Sequence, residues 1–138
     1  MNPLSAINPT REQLAAFAEK LPVDTPILML NLLRYNPEAQ YPADSEHSPC
    51  SGREAYARYS RTALTKVRGV GGEVQVVASI EVALIAPAGE QWDELLLVRY
   101  PSKDAFLSMI GDPEYKAATV HRTAALADSR LLASLPKR

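Results

Sequence analysis

The sequence predicts an α+β domain: one antiparallel sheet with helices on one face only. Three observations lead there. The apolar positions switch between the strand and helix periods in the order strand, helix, strand, strand, helix, strand. Two runs, Ile27-Leu-Met-Leu-Asn-Leu-Leu33 and Leu95-Leu-Leu-Val98, are apolar on both sides and each continues into Arg-Tyr, so both are buried, central strands. The 138 residues hold no spare helices for a second layer on the far face.

The elements follow in order. Thr10 caps a first helix, residues 10–21, with Gln13 in the capping-box position and Leu14, Phe17, Ala18 and Leu21 at helical spacing. Pro22 and Pro26 bracket a linker. Residues 27–35 are the first strand, and the Pro- and Ser-rich stretch 36–51 is a long loop of the kind that serves as a lid or stays disordered. Gly52 to about Arg68 is a helix with Tyr56, Tyr59, Ala63 and Val67 on one stripe, ended by the turn at Gly69, Gly71 and Gly72. Residues 73–86 alternate as a long strand, with Val74, Val76, Ala78, Ile80, Val82 and Leu84 pointing one way. A turn at Pro87–Gln91 leads to the strand 92–100. Ser102 caps a helix that Gly111 ends, and Asp112-Pro113 starts another that runs to about Leu126. Asp128–Ala133 is the last strand, and a tail follows from Pro136.

This order is the ferredoxin-like βαββαβ arrangement. Its uncovered face, apolar along the first strand, predicts a second copy packed sheet against sheet in a two-fold homodimer. A net charge of −1 lacks the positive field that phosphate backbones require, so nucleic acid is not an expected partner. No segment reaches the ~20 apolar residues of a membrane span. Met1-Asn-Pro-Leu-Ser5 has no basic or long apolar leader, which predicts a cytoplasmic protein. The single cysteine, Cys50, allows no internal disulfide.

The chain also resembles a family of small bacterial proteins of unknown function within the dimeric α/β-barrel superfamily. The matching segments are Met29–Arg34, Ala55-Tyr56 with Tyr59, Gly71-Gly72, Trp92-Asp93, Tyr100–Ser102 with Ala105-Phe106, Asp112–Tyr115, and His121-Arg122 through Ala125-Leu126 to Asp128–Leu131. They follow the family's order over nearly all of residues 26–133, although the 36–51 loop is longer and richer in proline than the family's pattern. The resemblance implies a homodimer, a dimeric α/β barrel, with a cleft between sheet and helices in each subunit. Related branches of the superfamily include cofactor-independent monooxygenases, haem-degrading enzymes, lactone isomerases and sensing domains of transcription regulators, and a shared fold does not choose among them.

Asn31 is the only polar residue within the run 27–33 and needs a partner, either a structural bond or a ligand. Arg34 and Arg99 end the two central strands and fall toward opposite ends of the sheet if those strands are antiparallel. Arg34, which leads into the long loop, is the expected contact for a carboxylate or enolate. Tyr56 and Tyr59 share a helix face, as do Tyr115, Ala118, Arg122 and Ala125, either as core or as pocket wall. His121, beside that second stripe, is the candidate catalytic acid or base. Trp92 is expected to seal a core edge or the dimer seam. His47 and Cys50 sit in the long loop with too few ligands for a metal site and no rigid setting for a nucleophile. No phosphate-binding, dinucleotide, Cys-x-x-Cys or His-Glu-x-x-His motif is present, so no cofactor or metal is expected. The resulting expectation is a homodimeric small-molecule-binding domain with Asn31, Arg34, Tyr56, Tyr59, Tyr115 and Arg122 as ligand contacts. The alternative is a cofactor-independent enzyme, monooxygenase- or isomerase-like, acting on a small anionic or enolisable substrate.

Overall fold

Four strands and four helices account for most of residues 6–137, the part of the chain that the computed structural model describes. The leader reading at residues 1–5 and the last residue of the tail fall outside it. In chain order the elements are α1 (Arg11–Lys20), β1 (Ile27–Tyr35), α2 (Gly52–Gly69), β2 (Glu73–Ser79), β3 (Glu94–Tyr100), α3 (Lys103–Gly111), α4 (Pro113–Ala125) and β4 (Leu126–Ser134). The sheet order is β2-β3-β1-β4 and every neighbouring pair is antiparallel. This is the ferredoxin-like order, with α1 added in front and the second crossover broken into α3 and α4 at Asp112-Pro113.

The helix starts are chemically specified. Thr10 and Gln13 form a reciprocal capping box on α1, and Ser51 and Glu54 form one on α2. Ser102 accepts from the Ala105 amide, and Asp112 from the amides of Glu114 and Tyr115.

Strand alternation sorts β1 into two faces. Ile27, Met29 and Leu33 are buried, and the register sets Tyr100, Val98 and Glu94 directly across from them on β3. Those residues lie under α2, α3 and α4. Leu28, Leu30 and Leu32 take the other face with Leu95 and Leu97, only half-buried, and no helix covers them among the described residues. The helix-side core is divided. One cluster joins Leu33 to Tyr56, Tyr59, Ala63, Ala118 and Leu126. The other joins Ile27 and Met29 to Val67, Val98, Tyr100, Phe106 and Met109. Asn31 falls on β1 between them.

Two expectations about the second hairpin need correction. β2 stops at Ser79, not at residue 86, and β3 begins at Glu94, not at 92. The Asp93 amide donates to the Leu33 carbonyl and its carboxylate accepts from the Tyr35 amide, so the chain before β3 turns toward β1. Without a partner strand, the edge strand has nothing to pair with beyond the Ile80–Asp93 bond. A register shift between Val74 and Val76 also splits the alternation. Val74 and Val77 share the helix-side face, across from Val98 and Leu96, while Val76 and Ala78 take the open one.

The 36–51 loop is pinned down. Asn36 and Gln40 donate backbone bonds to Ala125 and Ala124, and Ala39 bonds Cys50 across its neck. This neck depends on Gly52, where an added Cβ would stand 2.1 Å from the Asn36 carbonyl oxygen and 2.8 Å from that of Ala125. Neither backbone oxygen can yield without breaking the neck. Gly52→Ala is therefore expected to destabilise the fold by about 3 kcal/mol or more. Urea unfolding of the variant checks this, and a loss under about 1 kcal/mol would show that the neck is loose.

Candidate functional site

The gap in the divided core opens into a cleft of about 560 Å³ between sheet and helices. That lies within the range of small-molecule sites. It is roomy where the α2 wall is small: Ala63 lines it, and its side chain does not span the space. Its floor is Met29, Asn31, Leu96 and Val98, and its walls include Tyr56, Tyr59, Phe106, Met109, Tyr115 and Arg122.

A fourth wall had no assigned role in the sequence. Residues 6–9 and α1 form a strap that sets Ile7, Leu14 and Phe17 against the cleft, although α1 buries none of its residues fully. The strap is tied at both ends. At one, the Asp128 carboxylate accepts from the Ala6 amide, Ser129 Oγ donates to the Ala6 carbonyl, and Arg122 Nη1 donates to the Ile7 carbonyl at 2.5 Å. At the other, the Lys103 ammonium donates to the Ala18 and Leu21 carbonyls, where a cation complements the end of a helix, and Phe17 packs on Phe106 at 5.1 Å between ring centroids. The legible signal was an apolar stripe, Leu14 and Phe17, on a helix with no other surface to cover.

The polar groups gather around Asn31 and the tyrosines. Asn31 Nδ2 donates to the Leu96 carbonyl at 3.2 Å and points at that of Met29 at 3.5 Å, which fixes the amide and leaves Oδ1 as an acceptor. The Tyr59 and Tyr115 hydroxyls lie 2.7 Å apart. Tyr56 stacks between Tyr35 and Tyr59 at 5.6 and 5.2 Å, and among the described residues its hydroxyl has no hydrogen-bond partner. Burial pushes the Tyr56 phenol up to about 12 and the Tyr59 phenol well above its ordinary range, against the opposing pull of Arg122. Both therefore stay protonated at neutral pH and act as donors. Burial alone would raise the Asp128 carboxyl, but the Ala6 amide, Arg130 and the Ser129 amide outweigh it and hold that group below its usual range.

The structure places the sequence candidates in three locations. Asn31, Tyr56, Tyr59, Tyr115 and Arg122 line the cleft together. Arg34 does not: strand alternation puts it on the open face, three residues from Asn31 and so on the opposite side of β1. Arg99, paired with Leu28, stands roughly 20 Å from Arg34 along the sheet. His121 also lies outside the cleft. It is one position off the stripe of Tyr115, Thr119 and Arg122, and it turns to the long loop, where Tyr41 Oη meets its Nδ1 at 2.7 Å and the His47 ring centroid is 4.5 Å away. Asn31 and Arg34 thus stand on opposite faces of β1, and His121 turns to the loop, so the three side chains do not share one compartment. Trp92 lies under the guanidinium of Arg130 at 5.1 Å. Among the described residues no three His, Cys, Asp or Glu side chains are grouped to share a metal ion, and no helix is long and apolar enough to cross a membrane.

The fold and cleft define an α+β ferredoxin-like protein with a preformed apolar pocket. No family profile and no curated protein matches the chain. Among solved structures it is similar to RPA0582, a protein of unknown function from Rhodopseudomonas palustris, with 40% identity over 97% of this chain and 98% of that one and a TM-score of 0.89. The methylated form of RPA0582 gives a TM-score of 0.90. The hydroxynitrile lyase of Passiflora edulis, at 9% identity over 83% of this chain and 95% of that one, has a TM-score of 0.54, which is a likeness of fold alone. The chain belongs to the family of RPA0582.

The His121 contact makes the loop sensitive to pH. Burial, then His47, Arg58 and Arg61, hold the His121 pKa below its ordinary 6.5. The unfolded chain then binds the proton more readily, so this contribution to stability is complete above about pH 6.5 and is lost as pH falls toward the depressed value. Urea melts at pH 7.5 and 5.5 are expected to show a loss in the wild type that is smaller in His121→Phe. An equal loss in both would remove His121 as the cause.

Proposed function

We propose that this protein is a homodimeric small-molecule-binding protein whose ligand occupies the cleft between sheet and helices. The observation that carries the reading is the cleft itself, a mostly apolar space with a few converging polar groups, already open in the folded chain. Asn31, Tyr56, Tyr59, Tyr115 and Arg122 are the proposed contacts. Arg34 and His121, which face elsewhere, are not assigned to the ligand.

The homodimer draws on the open face. Leu28, Leu30, Leu32, Leu95 and Leu97 form a contiguous apolar surface with no layer over it among the described residues, and sheets of this kind require one. A second copy supplies it by two-fold symmetry. Met29 and Leu97 separate the two roles. Met29→Asp puts a charge under the helices and is expected to unfold the chain, whereas Leu97→Asp puts it on the open face and is expected to leave a folded monomer. Light scattering with circular dichroism reads both, and a wild type that is monomeric at micromolar concentration would remove the homodimer.

The ligand reading is tested by a nuclear magnetic resonance screen of small aromatic and aliphatic acids, amides and alcohols. Hits are expected to shift the amides of Asn31, Tyr59 and Arg122, and to vanish in Ala63→Phe, whose larger side chain fills the cleft. No cleft hit at millimolar concentration would sink the reading.

A second reading is a cofactor-independent enzyme acting on a small enolisable substrate. It draws on the Tyr59–Tyr115 hydroxyl pair, which can donate to the oxygen of a developing enolate while solvent water takes the α-proton. Carbonyl-containing hits incubated in D₂O are then expected to lose their α-proton signals, and Tyr115→Phe to stop the exchange. Unchanged exchange in that variant would assign the pair to binding alone.

A further inference from the structure

We infer that the ligand of this cleft is a small organic anion of the carboxylate type with an apolar body, its head held by Arg122 and the tyrosine hydroxyls and its body over Met29, Val98, Phe106 and Met109. The inference rests on the small-molecule reading above and names the chemistry that the cleft selects.

The first argument is charge. The residues lining the cleft include Lys116, Arg122 and Arg130 but no aspartate or glutamate. Arg130 is neutralised at the rim by the Asp128 carboxylate at 2.7 Å. Arg122 has no such partner among the described residues. Its guanidinium donates to the Ile7 carbonyl, a neutral group of the strap. A guanidinium offers five N–H donors, and a half-buried one beside an apolar wall gains most from an anion that takes two of them side by side. A cationic ligand would meet an unbalanced positive charge there.

The second argument is the balance of donors and acceptors. The Tyr59–Tyr115 pair uses one of its two hydroxyl protons internally and leaves the other for a ligand. The Tyr56 hydroxyl adds another donor on the same helix face. Against these, Asn31 Oδ1 is the acceptor left by the fixed amide on the floor. A donor-rich end suits a group that only accepts, which an ionised carboxylate does and a neutral amide or polyol does not.

The third argument is the other end of the cleft. Met29, Val98, Phe106 and Met109 belong to the second core cluster, and Leu14 and Phe17 of the strap close over them. These six side chains are all apolar, so the body of the ligand is apolar. Two methionines beside aromatic rings adapt to a flat ring more readily than branched aliphatics do.

The test compares two probes of one shape, 2-naphthoate and its neutral counterpart 2-naphthamide, by calorimetry at pH 7.5. Wild type is expected to bind the acid at least about tenfold tighter than the amide, as a charge-assisted hydrogen bond requires. Arg122→Gln is expected to remove that preference while amide binding persists, and Arg122→Lys to restore part of it. Equal binding of acid and amide by wild type overturns the inference, as does a preference that survives in Arg122→Gln. Should Arg122→Gln lose the strap and unfold, the wild-type ratio decides alone. If neither probe binds, the anion is overturned, and the fragment screen separates the two readings: neutral hits in the cleft leave the small-molecule reading standing, and an empty screen ends both.

Discussion

The alternation of β1 organises this molecule. It is a central strand, bonded to β3 on one side and β4 on the other, so all of its backbone groups are committed and its side chains have only two directions to take. The odd residues Ile27, Met29 and Leu33 anchor two separate clusters beneath the helices. The even leucines make the open face. Asn31 falls where the clusters part. A leucine there would meet Leu96 across the ladder and help to fuse the two clusters into one core. The amide instead bonds the neighbouring strand and keeps a polar floor in a gap that the small Ala63 on α2 leaves unfilled.

The chemistry of the gap follows from what surrounds it. Burial keeps the tyrosines protonated, the strap closes the apolar end, and Arg122 links strap and cleft through one guanidinium. The carboxylates nearest the site are engaged elsewhere: Asp128 by Arg130 and the strap, Glu94 by the Tyr35 hydroxyl. The cleft is left with donors and positive charge. His121 and His47 belong to a different system, the clamp that holds the 36–51 loop to α4 through Tyr41.

Much of the fold could be read in advance because its signals are local. The Thr10–Gln13 capping box, the apolar stripe of α2, the Asp-Pro break and the two-sided apolar runs each act within a few residues, and they mark α1, α2, α4, β1 and β3 closely. β2 could not be read as well. Its alternation continues in the sequence beyond Ser79, but a strand lasts only while a partner is present, and that depends on where Asp93 turns. The site was legible in part. Tyr56, Tyr59, Tyr115 and Arg122 follow from helix stripes, and the period of two along β1 already separates Arg34 from Asn31. The engagement of His121 with Tyr41 spans 80 positions of sequence, and no periodicity encodes such a contact.

Composition and local pattern thus settle the order of the elements, the antiparallel sheet with one bare face, and the residue types available for a site. They act through hydrogen bonds and burial periods that repeat over short distances. Which of those residues meet is a matter of packing. The cleft exists because two clusters on one strand do not merge. The strap became a wall because Arg122, Asp128, Ser129 and Lys103 hold it from distant parts of the chain. Long-range contacts of this kind depend on how volumes and charges fit once the helices dock on the sheet, and that fit is decided in three dimensions.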